Sequence, residues 1–135
     1  MDSSIEIVGE TATGAMGVPE RVENVAWYSL GPQPGEAGNA VLSGHLDDYK
    51  GDPAVFWGLN ELQPGDTIIV IDAAGNSRQF QVTGKESYAF DQAPLDRIFG
   101  SSFTSNLNLI TCDGTWDQNA RNYDRRLVVY SRLVE

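Results

Sequence analysis

The sequence holds one cysteine and one histidine among its 135 residues, Cys112 and His45. A lone cysteine excludes an internal disulfide, so the fold does not depend on oxidation. The count does not choose between a reducing cytosol and a bacterial cell surface. One histidine with one cysteine is also too few for a structural zinc site of the usual type. Basic residues are scarce, nine Lys and Arg against nineteen Asp and Glu, which gives a formal charge of -10. That balance argues against nucleic acid or anionic lipid as the main partner, since both reward basic patches. No stretch approaches the roughly twenty apolar residues of a membrane span. No secretory leader is visible, and neither is an internal repeat, a low-complexity tract or a linker. The opening Asp2-Ser3-Ser4 runs straight into a strand-like Ile5-Glu6-Ile7-Val8, which reads as a start made inside a longer protein. Any membrane anchor is therefore expected outside this chain.

What is present is alternation. Apolar runs of four to eight residues are separated by Gly, Pro, Asn and Asp, the pattern of a mostly-β domain. Strands are expected over 5–8, 40–44, 67–72, 77–83, 107–112 and 127–134. The turn Ala73-Ala74-Gly75-Asn76 joins two of them as a hairpin. A helix is expected over 54–62, with Asp52 as cap, Pro53 in the first turn and Pro64-Gly65 as the stop. A second short helix fits 93–99, with Pro94 near its start. Segments 31–38 and 113–124 read as loops, and the second flanks Cys112, where a loop can select substrate. The whole of 1–135 reads as one domain of a size that buries a core without staples.

The scarce residues are the candidates for chemistry. A free cysteine is ordinarily a small buried hydrophobe. Cys112 instead closes an apolar strand where polar sequence begins, and a cation is available to it if 127–134 pairs beside 107–112. His45 closes another apolar strand, Ala40-Val41-Leu42-Ser43-Gly44, just ahead of polar residues. Gly44 leaves room for another group to approach, and an imidazole serves as acid or base near neutral pH. A lone histidine is more often structural than catalytic. Among the arginines, Arg126, Val128 and Tyr130 share one strand face, while Arg125, Leu127 and Val129 share the other. Periodicity leaves Arg125 and Arg126 both open and makes Arg121 a surface charge.

These segments resemble a known family. Leu109-Ile110-Thr111-Cys112, followed by Arg126-Leu127-Val128-Val129-Tyr130-Ser131-Arg132-Leu133-Val134, is similar to the signature of sortases, the cysteine transpeptidases of Gram-positive surfaces. Leu42-Ser43-Gly44-His45 is similar to that family's histidine motif. The likeness continues through Met16-Gly17-Val18-Pro19, Trp27-Tyr28, Pro34-Gly35-Glu36-Ala37-Gly38-Asn39, Val55-Phe56 with Leu59, and Leu62-Gln63-Pro64-Gly65-Asp66. It covers nearly the whole chain in the family's order. The Pro-Gly-Glu run looks most like classes E and F, and Asp113-Gly114-Thr115-Trp116-Asp117 favours class F.

The resemblance implies a single-domain, eight-stranded sortase β-barrel with one or two short helices. The family's usual opening strand is not carried by this chain. It implies His45, Cys112 and Arg126 as catalytic residues around one groove, the closing-strand alignment choosing Arg126 over Arg125. Thr111, Asp113 and Trp116, beside the thiol, are the expected substrate-binding residues, and Trp116 reads equally as a wall of the groove or as a core anchor. The implied reaction cuts an LPxTG-like sorting signal between Thr and Gly. The acyl group then passes through a thioester to an amine of a peptidoglycan precursor or a pilin. The implied setting is the extracytoplasmic face of the bacterial cell membrane. No cofactor is implied. Some sortases bind calcium through acidic loops, but Asp47, Asp48 and Asp52 match no dedicated calcium motif and read as a solvated loop. Two competing functions share these residues, a cysteine hydrolase of the same signal and a silent peptide-binding module. A papain-like protease does not fit, because here the histidine precedes the cysteine.

Overall fold

Short runs rich in Val, Ile, Leu and aromatic residues fit a pleated, packed surface, and seven of them form one mixed sheet. The computed structural model describes residues 4–8, 21, 23–47, 52–89, 92–117 and 122–134, with the backbone alone at 7, 8, 112–117 and 122–124. The strands are β1 (Ile5–Val8), β2 (Val25–Tyr28), β3 (Gly38–Ser43), β4 (Thr67–Ile71), β5 (Ser77–Ala89), β6 (Ser105–Asp117) and β7 (Asn122–Leu133). One short helix, α1 (Leu95–Phe99), lies between β5 and β6. The strand order is β1-β2-β3-β6-β7-β5-β4. Pairs β1/β2 and β3/β6 are parallel, and the others are antiparallel. The sheet curls, so its two edge strands flank a cleft of about 590 Å³ lined by Ile5, Trp27, Ile69, Ile71 and Arg78.

The three central strands are buried on both faces, which is why they read as nearly continuous apolar runs. Inside the curl, Ala40, Leu42, Leu107, Leu109, Leu127 and Val129 pack with Phe56, Leu59, Phe80 and Val82. On the other face Val41, Val128 and Tyr130 pack with Ile98 of α1. Two buried asparagines hold α1 there by satisfying carbonyls at its C-terminal end. Asn108 Nδ2 donates to the Ile98 carbonyl at 2.9 Å, and Asn39 Nδ2 donates to the Gly100 carbonyl at 2.8 Å.

The hairpin turn forms as its sequence implies. The Asp72 carboxylate accepts from the Ala74 and Asn76 amides, and Gly75 takes a φ of 87° that a side chain would resist. The strand expected over 77–83 continues to Ala89 through a register shift between Val82 and Gly84, a bulge that bends a strand without ending it. Seven strands lie among the described residues, against the eight implied by the resemblance.

Three expectations need correction. Residues 54–62 are not an α-helix. Trp57 donates to Ala54, Leu59 to Phe56, Glu61 to Gly58 and Leu62 to Leu59, all three residues back, and only Leu59–Glu61 is a 3-10 helix. Phe56, Leu59 and Leu62 recur every third residue, which suits the tighter turn, and Gly58 disfavours the α form. Pro53, expected in the first turn of that helix, instead forms an isolated bridge with Asp47. Second, most of 113–124 is strand. β6 runs to Asp117 and β7 starts at Asn122, so the pairing continues past the apolar sequence. Third, β2 went unforeseen. The second helix does form, and Pro94 caps it.

Candidate active site

Register brings the candidate residues together. β3 and β6 pair in parallel, Leu42 with Leu109 and Ser43 with Ile110. That ladder ends there; extended by two residues, the same register would bring His45 level with Cys112. On the other side of β6, Cys112 is the antiparallel partner of Arg126. Cys112 and Arg126 are thus direct partners in one row, and His45 joins that row on the extended register. Strands lie about 4.8 Å apart, so a row across three of them spans roughly 10 Å. On that extension an imidazole and a guanidinium flank the thiol-bearing position.

The ladder between β3 and β6 stops at Ser43, yet the chain stays alongside. The Gly44 N–H donates to the Ile110 carbonyl at 3.2 Å, and Thr111 Oγ1 donates to the Gly44 carbonyl at 2.7 Å. The Phe56 N–H donates to the His45 carbonyl at 3.0 Å, tying the 3-10 segment to the histidine. Gly44 allows close packing, since a Cβ there would lie 2.7 Å from Phe56 Cδ2 and 2.9 Å from Val55 Cγ1. The room at Gly44 is thus taken by the Phe56 ring.

The two arginines separate. Arg125 pairs with Asp113 in register, and its guanidinium is spent on β5. Its Nε donates to Ser87 Oγ at 2.7 Å and its Nη2 to the Ser87 carbonyl at 2.8 Å. Arg126 is half-buried, lies opposite Cys112, and donates from Nη1 to the Arg125 carbonyl at 3.0 Å. Beyond it the row meets Tyr88, the partner of Arg126 on β5. The Tyr88 hydroxyl meets that of Tyr130 at 2.8 Å and donates to Glu86 Oε2 at 2.9 Å. Burial, with these bonds, pushes the Tyr88 phenol well above its ordinary range. Arg97 of α1 sits 4.1 Å over the Tyr130 ring and fastens the helix beside the row.

The other expected residues divide. Thr111, expected to bind substrate, is 4% exposed, and its hydroxyl is given to Gly44. That bond ties it to the segment that leads into His45. Asp113 and Trp116 are described by register only, Asp113 with Arg125 and Trp116 with Tyr123. Asp48 and Arg121 lie outside the described residues, as does 16–19. Among the described residues, no three of His, Cys, Asp and Glu gather as a metal-ligand group. The supporting roles of Thr111, Phe56 and Ser87 were not anticipated. A threonine at a core-facing position of β6 was the available signal for the first.

Comparison with known proteins identifies the lineage. The Sortase domain model matches residues 1–134. The chain belongs to the sortase family. No curated protein sequence matches it. Among solved structures it is similar to the SrtA sortase from Actinomyces oris, with a TM-score of 0.69 and 26% identity over 95% of this chain and 69% of that one. The lid mutant of sortase A from Corynebacterium diphtheriae gives a TM-score of 0.70 at 18% identity, over 95% of this chain and 68% of that one. Sortase C-1 from Actinomyces oris gives 0.65 at 21% identity, and there 82% of this chain covers 57% of the other. The chain thus spans little more than half the length of the sortase C structures it matches, 51% to 58%. The mostly-β curled sheet is the sortase fold.

Proposed function

We propose that this domain is a cysteine transpeptidase acting on an LPxTG-like sorting signal, with Cys112 as nucleophile, His45 as acid and base, and Arg126 as oxyanion donor. The observation that supports the proposal is the pairing of the single thiol position with Arg126, on a strand whose parallel ladder to β3 ends two residues short of both Cys112 and the single histidine. The Cys112 thiolate attacks the threonine carbonyl of the signal and forms a tetrahedral oxyanion. Arg126 donates hydrogen bonds to that oxygen. The C–N bond to glycine then breaks, His45 gives the leaving amine its proton, and a thioester remains. An incoming amine attacks the thioester and gives its proton to His45; the C–S bond breaks and the Cys112 thiolate leaves, restored. That amine would come from a peptidoglycan precursor or a pilin, at the outer face of the cell membrane. Membership of class F belongs to this proposal and rests on 113–117. No cofactor takes part.

The test is intact-mass measurement of the protein mixed with an LPxTG peptide. The proposal expects an adduct equal in mass to the peptide up to its threonine, lost with Cys112→Ala and discharged by hydroxylamine. Peptide cleavage that persists in Cys112→Ala would overturn it.

A further inference from the structure

We infer that Thr111 is a positioning residue that holds His45 level with Cys112 through the Gly44 carbonyl, an inference that rests on the catalytic roles proposed above. Along β6, Leu107, Leu109 and Thr111 alternate, and all three are buried, with both leucines in the core inside the curl. Valine would fill the same shape at 111, so packing alone does not ask for a hydroxyl. What threonine adds is one bond, Oγ1 to the Gly44 carbonyl at 2.7 Å, a full-strength distance for a hydroxyl donor.

That carbonyl belongs to the peptide plane leading into His45. A peptide unit is rigid, so fixing its oxygen fixes the direction from which the histidine leaves the chain. The next plane is fixed as well, since the His45 carbonyl accepts from the Phe56 N–H at 3.0 Å. The two ties differ in origin. Phe56 belongs to the turn that leads into the 3-10 helix Leu59–Glu61, whereas Thr111 lies next to Cys112 on β6. The bond from Thr111 couples the plane entering His45 to the strand that bears the thiol, next to the bond from the Gly44 N–H to the Ile110 carbonyl. It does so from the core side, where Thr111 is buried. Ser43 Oγ, also beside this segment, is buried without a hydrogen-bond partner, so it does not share the task.

The geometry makes the two groups register-locked rather than only adjacent. Loss of the hydroxyl leaves the Gly44 carbonyl without this donor and frees the plane to rotate. A misplacement of about 1 Å in a catalytic group costs on the order of a hundredfold in rate.

The test compares Thr111→Val, which keeps shape, with Thr111→Ser, which keeps the donor. Because the chain has a single histidine, its imidazole C–H proton resonances report on His45 without an assignment problem. Three readouts are taken on the folded proteins: the pH titration of that resonance, the pH profile of Cys112 alkylation by iodoacetamide, and kcat and KM for an LPxTG peptide. The expected result is that Thr111→Val shifts both pH profiles and lowers kcat about 10- to 100-fold, with KM within about threefold. Thr111→Ser should stay within about threefold of the parent. The inference is overturned if Thr111→Val leaves both profiles where they were, or if Thr111→Ser fails in the same way as Thr111→Val. The first two readouts need no substrate. If the parent protein ignored the peptide, the proposed function would fall while the coupling of Thr111 to His45 was still decided.

Discussion

Replacing Gly44 with alanine puts the arrangement around His45 under a measured load. The new methyl would sit 2.7 Å from Cδ2 and 2.9 Å from Cε2 of Phe56, and 2.9 Å from Cγ1 of Val55. Ordinary carbon–carbon contact starts near ~3.5 Å, so the segment and the ring must separate by about 0.8 Å. Phe56 is 1% exposed and packs in the main core, so its ring has little room to retreat. The 44–45 segment gives way instead, and it moves away from the 3-10 segment against its bonds to Ile110 and Thr111. Overpacking of this kind costs about 1–3 kcal/mol. For a domain of this size that is a fall in Tm of about 4–12 °C. The displacement approaches the scale at which catalytic alignment loses about a hundredfold in rate. The control is Gly84→Ala, where an added Cβ meets nothing within 4 Å. That variant should keep its stability within about 0.5 kcal/mol and keep its rate. Thermal melts and kcat/KM on an LPxTG peptide read both effects. A Gly44→Ala protein with the parent's Tm and rate would refute the packing argument.

Two further outcomes are expected. Arg126→Lys should lower kcat about 10²- to 10³-fold, because an ammonium lacks the planar fork that meets an oxyanion. Arg125→Lys loses only its bonds to Ser87 and should change the rate less than tenfold; steady-state kinetics on both separate the two roles. The raised Tyr88 phenol makes a statement about alkaline stability. Above about pH 10 the unfolded chain loses that proton while the folded one keeps it. The folded state is then increasingly disfavoured as pH rises, and below pH 10 the group contributes no slope. Urea midpoints between pH 9 and 11 should fall more steeply for the parent than for Tyr88→Phe, and equal slopes would count against the burial argument.

Legibility differed by residue. The central strands were readable because burial on both faces made them apolar throughout, as in Leu127, Val128, Val129 and Tyr130. The same cue failed past Cys112. There the ladder is carried by backbone bonds through a largely polar stretch, which leaves no apolar run to read. β2 was missed because Val25-Ala26-Trp27-Tyr28 is four residues long with no alternation. Residues 54–62 misled because apolar positions at every third residue serve a 3-10 segment as well as an α-helix. At the site, scarcity pointed to Cys112 and His45. Between Arg125 and Arg126 periodicity leaves both open; the resemblance chose Arg126, and the register pairs that residue with Cys112. The role of Thr111 was hidden because a hydrogen bond to a carbonyl 67 residues away leaves no trace in local pattern.

The most direct test of the central claim is product analysis by mass spectrometry, with an LPxTG peptide and triglycine as the added amine, for the parent chain and Cys112→Ala. The account expects a ligated product joined at threonine, formed by the parent and absent with Cys112→Ala. Ligation that survives the loss of Cys112, or a parent protein that neither cleaves nor ligates the peptide, would contradict it.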